Sequence, residues 1–159
     1  MKYRYVIGLG SNYEAEKKFP AMIGALLESF EEIWLSPVCK TTSTVGYGPD
    51  YFNAVASLTS ALSPREFRKE CKRIEYELGR VRPSVYCAAD IDILACWDQP
   101  EPTYAQLFVE ESYYQPQADS VLDQLGLCSK QVSDIPEGVQ MALPDGRLIG
   151  LDTVHLQAA

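Results

Sequence analysis

Apolar residues follow two periods along the chain, and turn chemistry marks where one gives way to the other. Lys2 to Leu9 (KYRYVIGL) reads as a strand that Gly8, Gly10, Ser11 and Asn12 bring to an end. Phe19, Met22, Ile23, Leu26, Leu27 and Phe30 then recur at helical spacing, giving an amphipathic helix whose apolar stripe faces the core. Ile33 to Thr41 predicts a second strand, with Pro37 marking an edge or a bulge because proline has no N–H for the ladder. After a polar loop from Thr42 to Asp50, Phe52 to Thr59 alternates with the strand period. Ser63-Pro64-Arg65-Glu66 opens a helix with cap, first-turn proline and capping-box glutamate in register. Phe67, Cys71, Ile74 and Leu78 supply its buried face, and Gly79 stands at its C-terminal cap. Beyond a loop from Arg80 to Ala88, Asp90 to Trp97 predicts another strand; further on the pattern thins to a short helix over Asp119–Leu127 and a hairpin over Leu143–Ile149 turning at Asp145-Gly146.

Strand, helix, strand, strand, helix, strand is the ferredoxin-like order: an α+β fold with an antiparallel sheet and two helices on one face. A chain of 159 residues fits a single domain over 1–159. No apolar run approaches the ~18 residues of a membrane span, and Met1 to Leu9 lacks the apolar block of a signal peptide, so a cytoplasmic protein without a membrane partner is expected. Five scattered cysteines, no C-x-x-C pair and one histidine argue against a zinc site or a disulfide framework, and point to reduced, buried thiols. Trp34 reads as core, Trp97 as a residue at a sheet end, and His155 as part of a frayed tail.

The net charge of −8 is unevenly spread. Residues 1–64 carry −1, residues 65–82 carry +3, and residues 83–159 carry −10, with Lys130 and Arg147 their only cations. An acidic chain with one short basic segment is poorly equipped for nucleic acid, which needs many phosphate contacts, yet it can hold one small polyanion. A monomer is the default expectation.

Three pairs of residues offer chemistry. Asp90 and Asp92 share a strand face roughly 6–7 Å apart, a spacing that suits a divalent cation; a solvated strand face is the plain alternative. Arg80 and Arg82, in the loop leading to them, can grip phosphate through forked guanidinium hydrogen bonds, or be ordinary loop charges. Tyr51 and Asn53 also share a face, where a ring can stack on a flat heterocycle while a carboxamide reads its edge, or where both simply fill a strand.

Taken in order, Tyr5-Val6-Ile7-Gly8-Leu9-Gly10-Ser11-Asn12, Asp50-Tyr51-Phe52-Asn53-Ala54, Ile74 through Arg82 (IEYELGRVR) and Asp90-Ile91-Asp92-Ile93-Leu94 resemble the 6-hydroxymethyl-7,8-dihydropterin pyrophosphokinases of folate synthesis. The resemblance implies transfer of pyrophosphate from ATP to the pterin hydroxymethyl group with Mg2+. It implies Asp90 and Asp92 as magnesium ligands, Arg80 and Arg82 as catalytic phosphate contacts, and Tyr51 as the pterin-stacking ring. Asn53 would read the pterin edge, Thr41 or Thr42 would offer backbone contacts to it, Asn12 would tie down the first loop, and Glu75 would support the site from its helix.

The chain departs from that family in its loops. Members carry R-W-G-P-R before the aspartates, in a mobile loop whose tryptophan covers the pterin and whose arginine supports the transferred phosphate. Pro83 to Ala89 (PSVYCAA) has neither, and where members read V-P-H with further basic residues, this chain reads Val109-Glu110-Glu111-Ser112-Tyr113-Tyr114. Tyr86, Tyr113 and Tyr114 are candidates for the missing ring. Loss of the loop arginine predicts a divergent enzyme slowed by about 10³-fold, by analogy with arginine fingers. The alternatives are a pterin-binding module that has lost ATP chemistry and a related kinase of changed substrate.

Overall fold

A computed structural model describes residues 2–42, 48–82, 84–99, 108–127 and 135–159. Gly46 and Tyr47 of the polar loop, Cys128 and Lys130 lie outside the described residues. The chain runs β1 (Tyr3–Ser11), α1 (Ala15–Phe30), β2 (Glu32–Leu35), β3 (Cys39–Thr41), β4 (Tyr51–Ser60), α2 (Pro64–Glu77), β5 (Asp90–Asp98), a 3-10 turn (Ser112–Tyr114), α3 (Gln115–Gln124), β6 (Met141–Ala142), β7 (Leu148–Ile149) and β8 (Val154–Gln157).

The main sheet has the order β5-β1-β4-β2-β8, and every pairing in it is antiparallel. Each of the crossovers β1-α1-β2 and β4-α2-β5 skips one strand, which the other fills; this is the ferredoxin-like α+β plan expected from the element order. Tyr5, Ile7 and Leu9 of β1 and Phe52, Ala54, Ala56 and Leu58 of β4 point to one face, where Phe19, Met22, Ile23, Leu26 and Leu27 of α1 and Phe67, Cys71 and Ile74 of α2 cover them. Tyr5 and Phe67 stack there with ring centroids 3.8 Å apart.

Several expectations need correction. The predicted strand Ile33–Thr41 is two strands laid against the same neighbour: β2 pairs with Ser57 and Ala56 of β4, and β3 with Asn53, Phe52 and Tyr51. Pro37 interrupts the ladder, and the Ser36 side chain accepts the Val55 N–H at 2.9 Å in its place. The second sheet face is also covered, because Tyr114, Ala118, Val121 and Leu122 pack on Val6 and Val55. The sheet therefore carries a third helix, α3, which starts and ends earlier than Asp119–Leu127. It ends in a Schellman arrangement at Gly126 (φ 72°), with Gly126 N–H bonded to Asp123 and Leu127 N–H to Leu122.

Finally, the tail is not frayed. β8 pairs with β2 along Glu32↔Gln157 to Leu35↔Val154 and forms the sheet edge, with Leu156 buried. His155 stacks on Trp34 at 4.2 Å and 8° and is paired with Glu32. Trp34 is therefore half-buried under His155 rather than a core residue. The predicted hairpin forms as β6 and β7 around Gly146 (φ 93°). No helix among the described residues is long and apolar enough to cross a membrane. Cys39, Cys71 and Cys87 are buried and Cys96 is half-buried, all as free thiols.

Candidate active site

Site residues converge at one end of the sheet, on the face that carries α3. β5 reaches that face through its pairing with β1, in which Gly8 lies opposite Asp92 and Gly10 opposite Asp90. The space that the two glycines leave on this face is taken by Tyr114 at Gly8 and bordered by Asn53 and Tyr51 at Gly10, beside the two aspartates. A register shift between Val6 and Ile7 leaves Leu94 as the extra residue, and this bulge lets the acid end of β5 and its apolar end both meet β1 correctly.

Asp90 and Asp92 stand within hydrogen-bonding reach of each other. Loss of solvent, the Asp90 carboxylate beside it, and Glu75 and Glu111 farther off push the Asp92 carboxyl up to about 7. Asp90 is held from the opposite side: Arg80 Nη1 donates to its Oδ1 at 2.7 Å and to the Ala89 carbonyl at 3.3 Å, and lies 3.2 Å from Glu75 Oε2. Burial works against the Arg80 charge, and the hydrogen bond to Asp90 with the nearby acids outweighs it.

The end of α2 explains this placement. Gly79 adopts φ 95°, its N–H bonds the Tyr76 carbonyl, and the Arg80 N–H returns to the Glu75 carbonyl at 3.1 Å. That Schellman turn folds Arg80 back over Glu75. Glu75, 5% exposed on the helix, also accepts the Ile91 N–H at 2.8 Å and so fixes the first turn of β5 between its two aspartates. Arg82 is exposed, 3.6 Å from Glu75 through Nη2.

Tyr51 and Asn53 lie across β1 from the acids. Tyr51 is half-buried, and desolvation, Cys87 and Asp90 raise its hydroxyl pKa against a lowering by Arg80. The Thr41 hydroxyl donates to Asn53 Oδ1, while Thr42 is exposed. Asn12 binds three loops together: its Nδ2 donates to the carbonyls of Val85 at 2.7 Å and Pro49 at 3.5 Å, and its N–H to Cys87 at 2.8 Å.

Two of the tyrosines named as candidates for the missing ring stand at this site, together with Arg68 and Lys72, which the sequence did not single out. Tyr113, 39% exposed, has its hydroxyl pushed up to about 12 by burial and then by the nearby Glu111, Asp90, Asp92 and Tyr51. Tyr114 lies beneath it, buried, with the two rings 4.5 Å apart. Arg68 and Lys72, one turn apart on α2, share a cavity of about 290 Å³ with Asp92, Ile93 and Glu111. Tyr86 instead packs edge-on against Tyr13 at 5.9 Å. A glycine in the middle of a strand was the only signal in the sequence for the close approach at Gly8. Tyr113 and Tyr114 were legible only through the resemblance to the family, as candidate rings, and nothing in the sequence singled out Arg68 and Lys72 as neighbours of Asp92.

Among the described residues no group of three or more acidic, cysteine or histidine side chains could hold a metal by itself. The donor set is the two carboxylates, which suits magnesium, since that ion keeps waters and takes substrate phosphate oxygens for its remaining positions. The mutual charge that raises the Asp92 pKa is also what a bound dication would relieve.

No curated protein matches the chain. A family model described as 7,8-dihydro-6-hydroxymethylpterin-pyrophosphokinase (HPPK) matches residues 6–136. That span takes in the glycines of β1, the Tyr51–Asn53 pair, the Glu75–Arg80 turn, the two aspartates and the tyrosines that meet around them, and the chain belongs to the HPPK family.

Proposed function

We propose that this protein transfers pyrophosphate from ATP to 6-hydroxymethyl-7,8-dihydropterin, with Asp90 and Asp92 as magnesium ligands. The observation that carries the reading is the acid pair itself, two carboxylates on one strand face with aromatic rings across from them. Magnesium, when bound, supplies charge neutralisation at the phosphate oxygens. The chain's own residues do the remaining work. Arg80 and Glu75 fix Asp90 and the start of β5. Arg68 and Lys72, beside Asp92 in the α2 cavity, and exposed Arg82 are the cations available to phosphates. Tyr51 and Tyr113 offer faces for the pterin ring, and Thr42, at the mouth of the following loop, is free to offer it backbone contacts.

A second reading, a pterin-binding module without ATP chemistry, is favoured by one observation. Arg80 is already committed to Asp90 and Glu75, and Arg147, the only lysine or arginine among the described residues after Arg82, is paired with Asp145 in the hairpin. Calorimetric titration with a non-hydrolysable ATP analogue and with 6-hydroxymethylpterin, each with and without Mg2+, separates the two. The kinase reading expects magnesium-dependent nucleotide binding that Asp90→Ala and Asp92→Ala each reduce by about 10-fold or more. Pterin binding with no nucleotide binding would refute it and leave the module.

A further inference from the structure

The floor of the ring site is already filled by a side chain of this protein. Tyr114 is 2% exposed, and its ring lies so close to β1 that a Cβ on Gly8 would stand 2.6 Å from its Cε2 and 2.7 Å from its Cζ. Gly8 is the position that admits the ring. At the other end the Tyr114 hydroxyl accepts a hydrogen bond from Asn53 Nδ2 at 3.2 Å, and that same nitrogen donates to the Leu9 carbonyl at 3.4 Å. The Thr41 hydroxyl donates to Asn53 Oδ1. Both ends of the carboxamide, the group expected to read a heterocycle's edge, are therefore bonded within the protein. The arrangement is anchored one turn into α3, where Gln117, 1% exposed, donates to the carbonyls of Asn53 at 2.8 Å and Pro37 at 3.2 Å.

We infer that the Tyr114 phenol is a resident occupant of the heterocycle pocket and the residue that sets which ring the pocket accepts. This deepens the pterin reading and rests on it. A ligand reaches the Asn53 amide only by displacing the phenol, so it must replace both an aromatic contact and a hydrogen bond that the protein makes to itself. A flat heterocycle with an adjacent ring acceptor and N–H can do this, since the acceptor takes the Nδ2 proton from the phenol oxygen and the N–H replaces Thr41 at Oδ1. A simple phenol or a purely apolar ring replaces only part of what is lost.

The test follows 6-hydroxymethylpterin fluorescence during titration of the wild-type protein, Tyr114→Phe and Tyr114→Ala, alongside their urea unfolding midpoints. Both variants should unfold at lower urea while binding the pterin more tightly, by about threefold for Phe, which removes one competing hydrogen bond, and about tenfold for Ala. Affinity that falls with stability would make Tyr114 an ordinary wall of the pocket and overturn the inference, as would unchanged affinity in either folded variant. Should Tyr114→Ala fail to fold, Tyr114→Phe, which lacks a single oxygen, decides alone. No pterin binding by any of the three proteins removes the pterin reading and this inference together, whereas wild-type binding without a gain in the variants removes the inference only.

Discussion

Asp92 shows how a single residue acquires properties that its sequence neighbours do not contain. An ordinary aspartate titrates near the bottom of the pH scale, yet this carboxyl, crowded by the site wall and by Asp90, holds its proton up to about 7. The folded state therefore binds more protons than the unfolded chain between the two pKa values. Asp92's contribution to stability is most favourable when both states are protonated, declines as pH rises from about 4 to about 7, and is constant above that. Relieving the charge should consequently help at high pH and not at low pH. Asp92→Asn is expected to raise the free energy of unfolding in urea at about pH 8 by on the order of 1 kcal/mol, once solvent screening is allowed for, and to leave it unchanged at about pH 4. Mg2+ should stabilise the wild-type protein at the higher pH and have little effect on Asp92→Asn; an equal response of the two proteins would separate the cation from this carboxylate. A second residue-scale prediction concerns Gly8. Its alanine variant drives a methyl into the buried Tyr114 ring, which has no flexible end to yield. Overpacking of that kind costs about 1–3 kcal/mol, read as a lower urea midpoint.

At the scale of elements, α2 does the most for the site, and its limits are set locally. The Ser63 side chain accepts the Glu66 N–H and Glu66 returns a bond to the Ser63 N–H, which closes the capping box expected from Ser63-Pro64-Arg65-Glu66. Ser63→Ala should lower stability by about 1 kcal/mol in a thermal or urea melt, with no change in the site at the other end of the helix. The C-terminal end was equally readable, because Gly79 is the one residue there that enters the left-handed conformation without strain. The Ile33–Thr41 segment shows why other boundaries were not. Its apolar pattern is compatible with one continuous strand, and whether Pro37 ends pairing or only bends it depends on what β4 offers opposite. In the fold Ser36 bonds to the Val55 N–H and Gln117 of α3 to the Pro37 carbonyl, and both partners are remote in sequence. The start of α3 escaped for a similar reason. Its buried face meets the second side of the sheet through Tyr114, Ala118, Val121 and Leu122, and four residues in a polar setting give a weak helical period.

Over the whole molecule, the edge strand β8 decides how the sheet is closed. It covers β2, buries Leu156, and brings His155 over Trp34 and Glu32. Removing residues 154–159 would expose Trp34 and leave β2 as an unpaired edge. The expected results are a lower thermal midpoint, a shift of tryptophan emission toward that of a solvated indole, and greater aggregation; an unchanged melting curve would mean that β8 adds nothing to the fold. By itself the sequence determined what depends on neighbours along the chain: the helical stripes, the strand alternation, the capping box, the cap glycine and the element order that selects a ferredoxin-like sheet. Its motifs also carried the resemblance to the family, because a D-x-D on a strand puts two carboxylates on one face in any fold that keeps the strand. Only the tertiary structure decided which groups face those carboxylates. That Arg80 holds Asp90, that Asn53 is bonded to Thr41 and Tyr114, and that Gly8 makes room for a phenol a hundred residues away are contacts across strands and layers. Such contacts follow from register and packing, and no local period encodes them.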